Sequence, residues 1–169
     1  MPKKAEYDGT CQCCGAIQKL PGGLLAQHGY QVVWQSFRGV CPGSRHLPLE
    51  VSCDLLARFA EEAEQAAADF LVQAKAALEA DVSGGVGWKY EWIKGQHVGS
   101  RWVPGHYEWR PNVKYSGPDA SQAAYCGNVR YANYLRSKAG AATTRANQLH
   151  ERLENWEPGN LIPAGRKSS

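Results

Sequence analysis

Cys11-Gln12-Cys13-Cys14-Gly15 constrains this chain more than any other stretch of it. Cys11 and Cys14 form C-x-x-C with a glycine directly behind. Two thiolates at that spacing can grip one ion only if the chain turns sharply. The glycine lets the backbone fold back beneath the metal, as in a zinc knuckle. His28 and Cys41 follow, each one short loop further on, and complete a Cys-Cys-His-Cys set. Sulfur and imidazole donors in a closed tetrahedron suit Zn2+. Four protein ligands leave no open position, so the expected site of Cys11, Cys14, His28 and Cys41 is structural. Two other donors stay open at this point. His46 makes C-x4-H with Cys41, and Cys13 lies inside the knuckle, although its side chain is expected to point away from the turn. The competing reading is a set of unrelated thiols.

The rest of the N-terminal region supports a metal-held module. Residues 1–47 are punctuated by Pro21-Gly22-Gly23, Gly29, Gly39 and Pro42-Gly43, and only Tyr30–Phe37 predicts a short strand. A module of roughly 40 residues has too small a core to fold without a metal or disulfide. Met1-Pro2-Lys3-Lys4-Ala5-Glu6 is followed by no apolar segment of the export type, and no run approaches the roughly 18 apolar residues of a membrane span. The expected compartment is therefore the cytoplasm of a bacterial cell. There six cysteines read as metal ligands and spare thiols, not as three disulfides.

Beyond Pro48 the pattern changes to helical. Cys53, Leu56, Ala60, Ala63, Ala67, Phe70, Ala74 and Ala77 repeat at 3-4 spacing, which predicts one helix from about Pro48 to Asp81, stopped by Ser83-Gly84-Gly85. A second helix is predicted from Asp119, with Gln122 as its capping-box partner, to about Trp156, before Pro158-Gly159. Its seam is Ala132, Leu135, Ala139, Ala142, Ala146, Leu149, Leu153 and Trp156. The first helix is rich in acids and the second in bases, which favours antiparallel pairing between them. The seams can also pair between chains, giving a homo-oligomer. Cys53 and Cys126 read as buried free thiols within the helices. Residues 158–169 read as a loose tail.

Between the helices, residues 84–117 alternate Trp88, Tyr90, Trp92, Trp102, Tyr107, Trp109 and Tyr115 with polar residues at strand spacing. Trp92-Ile93-Lys94-Gly95 is echoed ten residues on by Trp102-Val103-Pro104-Gly105, so a β-hairpin or small meander is expected. Lys89, Lys94, Arg101, Arg110 and Lys114 outnumber Glu91 and Glu108 there. Aromatic and basic residues interleaved can stack on bases and contact phosphates, or can form a protein-binding hot spot. They can also simply pack the hairpin onto the helices. His97 and His106 with Glu91 and Glu108 read as the wet face of the hairpin more readily than as a second metal site. No nucleophile elbow, phosphate-binding loop or catalytic carboxylate pair is present, and no enzyme is expected.

The run from Cys11 to Leu56 resembles the opening of small uncharacterised proteins carried by phages and prophages. The phrases that carry it are Cys11-Gln12-Cys13-Cys14-Gly15, Ala26-Gln27-His28-Gly29-Tyr30 and Cys41-Pro42-Gly43-Ser44-Arg45-His46-Leu47-Pro48-Leu49-Glu50-Val51-Ser52. The resemblance implies a zinc module leading into a helical hairpin, and no particular activity. In architecture the chain is also similar to the zinc-plus-coiled-coil regulators that enter the secondary channel of bacterial RNA polymerase. Those carry acidic residues at the hairpin tip, where this chain is basic and aromatic.

The expected fold is thus α+β, mainly α: a zinc-knuckle module (1–47), then an antiparallel long-helix hairpin (48–157) with an aromatic β-hairpin insert. The expected function is a non-enzymatic interaction protein of phage or mobile-element origin that binds and modulates a host or defence protein. Trp92, Lys94, Arg101, Trp102, Tyr107, Trp109 and Arg110 are its candidate contact residues. The alternative partner is nucleic acid.

Overall fold

The computed structural model describes residues 5–32 and 36–164. It holds two helices, α1 (Asp54–Glu79) and α2 (Ala120–Glu154), and several small antiparallel sheets. The chain divides into two compact units, Met1–Ala63 with Arg145–Ser169, and Glu64–Thr144. Both helices contribute to both units. No described helix is long and apolar enough to cross a membrane.

In the first unit, β1 (Tyr7–Thr10) lies between β2 (Ile17–Lys19) and β9 (Ile162–Pro163), antiparallel to both. Asp8 is opposite Lys19 on one side and Ile162 on the other. The segment after Pro158 is therefore not loose as far as Ala164. Gly159 N donates to Glu50 O, Ala164 N donates to Glu6 O, and Leu161 packs against Cys11, Leu20, Leu25 and Cys41. An open strand edge leaves amides and carbonyls unpaired, and this segment supplies their partners. Gly165–Ser169, which hold the rest of the expected tail, lie outside the described residues.

The strand expected over 30–37 is instead part of a hairpin, β3 (Gly29–Val32) with β4 (Ser36–Val40). A lone strand would leave its backbone groups without partners. Val33–Gln35 lie outside the described residues.

Helix α1 begins at Asp54, not near Pro48. Pro48 O accepts from both Val51 N and Ser52 N, so residues 48–52 form a turn. The helix starts where its first amides find acceptors: Ser52 Oγ for Asp54 N, and Gln12 of the knuckle for the next two. Gln12 Oε1 receives Leu55 N at 3.0 Å and Leu56 N at 3.1 Å. Helix α2 matches its predicted span within two residues. Gln122 directs its amide to Cys126 Sγ at 3.7 Å, in place of the expected capping box.

Most positions of the predicted seams are buried. In the first unit Leu56, Ala60 and Leu149 pack together, flanked by Cys53, Phe59 and Leu153. In the second, Ala74, Ala77, Ala132 and Leu135 form the core, with Phe70, Leu78, Trp88 and Tyr131 around it. Both helical thiols were expected to be buried, but Cys53 is half-buried and Cys126 is exposed. Within α1, Arg58–Glu62 and Lys75–Glu79 are i,i+4 pairs, more than half exposed. At that exposure each contributes only a few tenths of a kcal/mol.

The second unit also holds the aromatic insert. β5 (Val86–Ile93) pairs with β8 (His106–Lys114), and β6 (Gln96–Val98) with β7 (Arg101–Val103). The base of the ribbon is tied to α2, because Asn128 Oδ1 accepts from Trp88 N at 2.9 Å. Tyr115 Oη donates to Trp88 O at 2.8 Å. The ten-residue repeat has a physical cause. A Cβ on Gly95 would lie 2.7 Å from the Trp102 ring, and one on Gly105 would lie 2.4 Å from the Trp92 ring. Each tryptophan covers the glycine of the other copy.

Candidate functional site

Three local structures bring the cysteines and histidine together. The knuckle leaves β1 at Cys11 and turns back at once: Gly15 N donates to Cys11 O, and Cys11 N donates to Ala16 O, both at 2.9 Å. Gly15 has φ of 72°, as the sharp turn requires. The β3–β4 hairpin then sets its two ends side by side, with Cys41 N donating to His28 O at 2.8 Å. A second tight turn, Cys41-Pro42-Gly43-Ser44, closes with Ser44 N donating to Cys41 O.

The ligand atoms of Cys11, Cys14, His28 and Cys41 all lie within 4.8 Å of one another, close enough to hold a metal ion. Cys11 Sγ is 3.8 Å from Cys41 Sγ, and Cys14 Sγ is 3.5 Å from His28 Nε2. The two alternatives left open by the sequence are not in this group. Cys13 packs against the small apolar cluster of Cys11, Leu20, Leu25 and Cys41. His46 serves through its backbone, accepting from Leu25 N and donating to Gly43 O. Among the described residues no second group of this kind occurs, so His97, His106, Glu91 and Glu108 do not form one.

The imidazole is set for ligation from behind. His28 Nδ1 lies 2.8 Å from Ala26 O, an atom that can only accept, so Nδ1 carries the proton and Nε2 presents its lone pair. Ser44 Oγ holds the same residue by accepting from His28 N and donating to His28 O, both at 3.1 Å. This is the outer support that orients metal-ligating histidines.

In the absence of an ion, the thiols are not equivalent. Burial pushes Cys11 from 9.0 up to about 12, and Cys41 up to about 11. For exposed Cys14, burial works in the same direction but is outweighed by the Ala16 amide and by hydrogen bonds from His28, Cys11 and Cys41, and the net shift is downward.

Three contributing residues were not among the sequence candidates. Ser44 supports His28. Gly43 lets the second turn touch the sulfur, because a Cβ there would lie 2.3 Å from Cys11 Sγ. Gln12 is fully buried and makes four hydrogen bonds. Only the short spacing of Cys-Pro-Gly-Ser, a turn sequence following a ligand, hinted at Gly43 and Ser44.

The candidate contact residues separate onto two faces of the insert. Tyr90 is opposite Trp109, and Trp92 is opposite Tyr107, so these four rings share one face. Their centroids follow one another at 5.0–5.3 Å from Trp92 through Tyr107 and Tyr90 to Trp109. The row continues onto α2 at Tyr131, 5.3 Å from Trp109, where Trp88 stacks on Tyr131 at 3.7 Å. Tyr134 with Lys138 above it ends the row. Tyr90, Trp92 and Tyr107 remain more than half exposed. Beside the Trp88–Tyr131 stack opens a cavity of about 260 Å3 lined by Gln73, Ala76, Ala77, Ala80 and those two rings.

Arg110 lies on the opposite face, across from Lys89, and its guanidinium is paired with Glu108. Lys89 is paired with Glu91 at 2.8 Å, and His106 with Glu108 at 3.4 Å. Trp102 sits on the β6–β7 ribbon against His97. Lys94 is exposed just past β5, and the side chain of Arg101 lies outside the described residues. Within the β5–β8 ribbon, Lys89 and Arg110 therefore lie on the face away from the four rings. The chain matches no known protein family, no curated protein and no solved structure.

Proposed function

We propose that this chain is a non-enzymatic, zinc-stabilised interaction protein whose aromatic face binds a partner protein. Zinc is supported by the size of the site. Bonds of about 2.3 Å to sulfur and about 2.0–2.1 Å to nitrogen in a tetrahedron give edges of roughly 3.75 Å between sulfurs and roughly 3.5 Å between sulfur and nitrogen. Cys11–Cys41 and Cys14–His28 have these lengths. With three thiolates and one imidazole, the ion is enclosed and serves the fold.

One observation carries the binding role: the contiguous exposed rings of Trp92, Tyr107 and Tyr90, with Lys89 and Arg110 on the other face of the β5–β8 ribbon. Exposed contiguous aromatic surface marks association, and Trp and Tyr dominate hot spots. The neighbouring cavity is of a size to take an apolar side chain of the partner. Within the same reading α1 and α2 form an antiparallel pair, supported by contacts of Leu56 and Ala60 with Leu149, and of Ala74 and Ala77 with Ala132 and Leu135. A mobile-element origin, with a host or defence protein as target, is part of the same proposal.

The test uses Trp92→Ala and Tyr107→Ala, both at exposed positions. Each is expected to abolish a nuclease-resistant complex captured from bacterial lysate while leaving circular dichroism and metal content unchanged. Tight, salt-sensitive binding of bare single strands near physiological ionic strength would instead establish the nucleic-acid alternative.

A further inference from the structure

We infer that the first unit is a metal-gated latch, in which an occupied Cys/His site holds the start of α1 and the C-terminal strand in place through Gln12 and Thr10. The inference rests on the metal reading of the site and adds what the metal controls.

Gln12 sits between two cysteines of the knuckle, so its position is fixed when Cys11 and Cys14 are fixed on one ion. Its buried amide faces away from the ligands and into the start of α1. Nε2 donates to Leu47 O at 2.9 Å and to Asp54 Oδ1 at 3.1 Å. Oε1 accepts from Leu55 N and Leu56 N. Helices normally cap their first amides with a side chain from the residue just before them. Here Ser52 Oγ accepts only the first amide, Asp54 N, at 3.2 Å, and the acceptor for the next two, Leu55 N and Leu56 N, comes from a residue more than 40 positions earlier. Two amides of the first turn of α1, Leu55 N and Leu56 N, thus depend on the knuckle.

On the other side of Cys11, Thr10 makes the second connection. Its N–H and Oγ1 donate to the Glu50 carboxylate at 2.5–3.0 Å, and its carbonyl accepts from Leu49 N. Leu49 O in turn accepts the Trp156 indole N–H at 2.7 Å, and Glu50 O accepts from Gly159 N. β1 itself carries the C-terminal strand β9. Residues 47–56 and 156–164 therefore share one support, and that support ends in two metal ligands. Loss of the ion removes the constraint on Cys11 and Cys14, frees Gln12 to rotate, and releases both segments together.

Amide hydrogen exchange of the full chain tests this, with zinc content measured on the same sample and strands β5 and β8 as internal reference. Stripping the zinc with a chelator is expected to speed exchange at Leu55, Leu56, Gly159 and Ala164 together by roughly tenfold or more, and restoring zinc to reverse it. Gln12→Ala is expected to keep stoichiometric zinc but to exchange rapidly at Leu55 and Leu56 with or without it. If zinc binds stoichiometrically and its removal leaves these amides protected, the latch is refuted and the metal site stands. If Gln12→Ala stays protected while holding zinc, the coupling does not run through Gln12 and the inference fails. A chain that binds no metal refutes the site and the latch together.

Discussion

At the scale of single residues, the thiols set the chemistry. Metal binding must displace protons from Cys11 and Cys41, whose burial holds them as thiols at neutral pH. Affinity is therefore expected to rise with pH, measured by competition with a coloured chelator. Stability of the metal-free protein goes the other way. A folded pKa raised above 9.0 contributes stability that is fully present below pH 9 and lost as pH rises toward about 12. Denaturation of metal-free protein between about pH 8 and 11 is expected to show a falling midpoint. Cys14, exposed and with its pKa lowered, should be the first of the ligand thiols to react with iodoacetamide once the metal is removed, and should be protected when it is bound. Exposed Cys126 provides the control, reacting in both states. Gly43→Ala places a methyl group on Cys11 Sγ, and the purified variant is expected to lose stoichiometric zinc by elemental analysis.

Among the elements, the helices tolerate little enlargement where alanines face one another. Ala74 and Ala132 are almost fully buried in one cluster, so Ala132→Leu is expected to cost about 1–3 kcal/mol by urea denaturation. These seams were legible in the sequence because burial on one side of a helix leaves a 3-4 imprint. The grouping of Cys11, Cys14, His28 and Cys41 was legible because metal chemistry restricts residue type and spacing at once. Other features had no local imprint. The start of α1 was misplaced by six residues because its cap, Gln12, arrives from a distant turn. Ala124 and Asn128 were missed as buried positions because β5, not the other helix, covers them. The strand at Ile162–Pro163 has only two residues, too short for any alternation to show. The Trp-x-x-Gly repeat was visible, but its meaning was not, since a reciprocal Trp-on-Gly contact appears only once the ribbon is paired.

For the whole molecule, the two compact units cut across the sequence order. Residues 1–47 looked like a self-contained module, yet β1 needs β9, Thr10 needs Glu50, and Gln12 needs Asp54, Leu55 and Leu56. A fragment ending at 47 is accordingly expected to bind zinc more weakly than the full chain and to show poorly dispersed amide resonances even when loaded; a well-dispersed spectrum would show that these partners are dispensable. The pairing of Asp8 with Ile162 also bears on how the protein is made. The knuckle leaves the ribosome early and can take its ion, but the strand that completes its sheet is translated about 150 residues later. At ~5–20 residues per second, the far edge of β1 waits for roughly 8–30 s. During that interval an unpaired edge is open to the same edge on a neighbouring nascent chain, so crowded polysomes are where this fold is most exposed to mispairing.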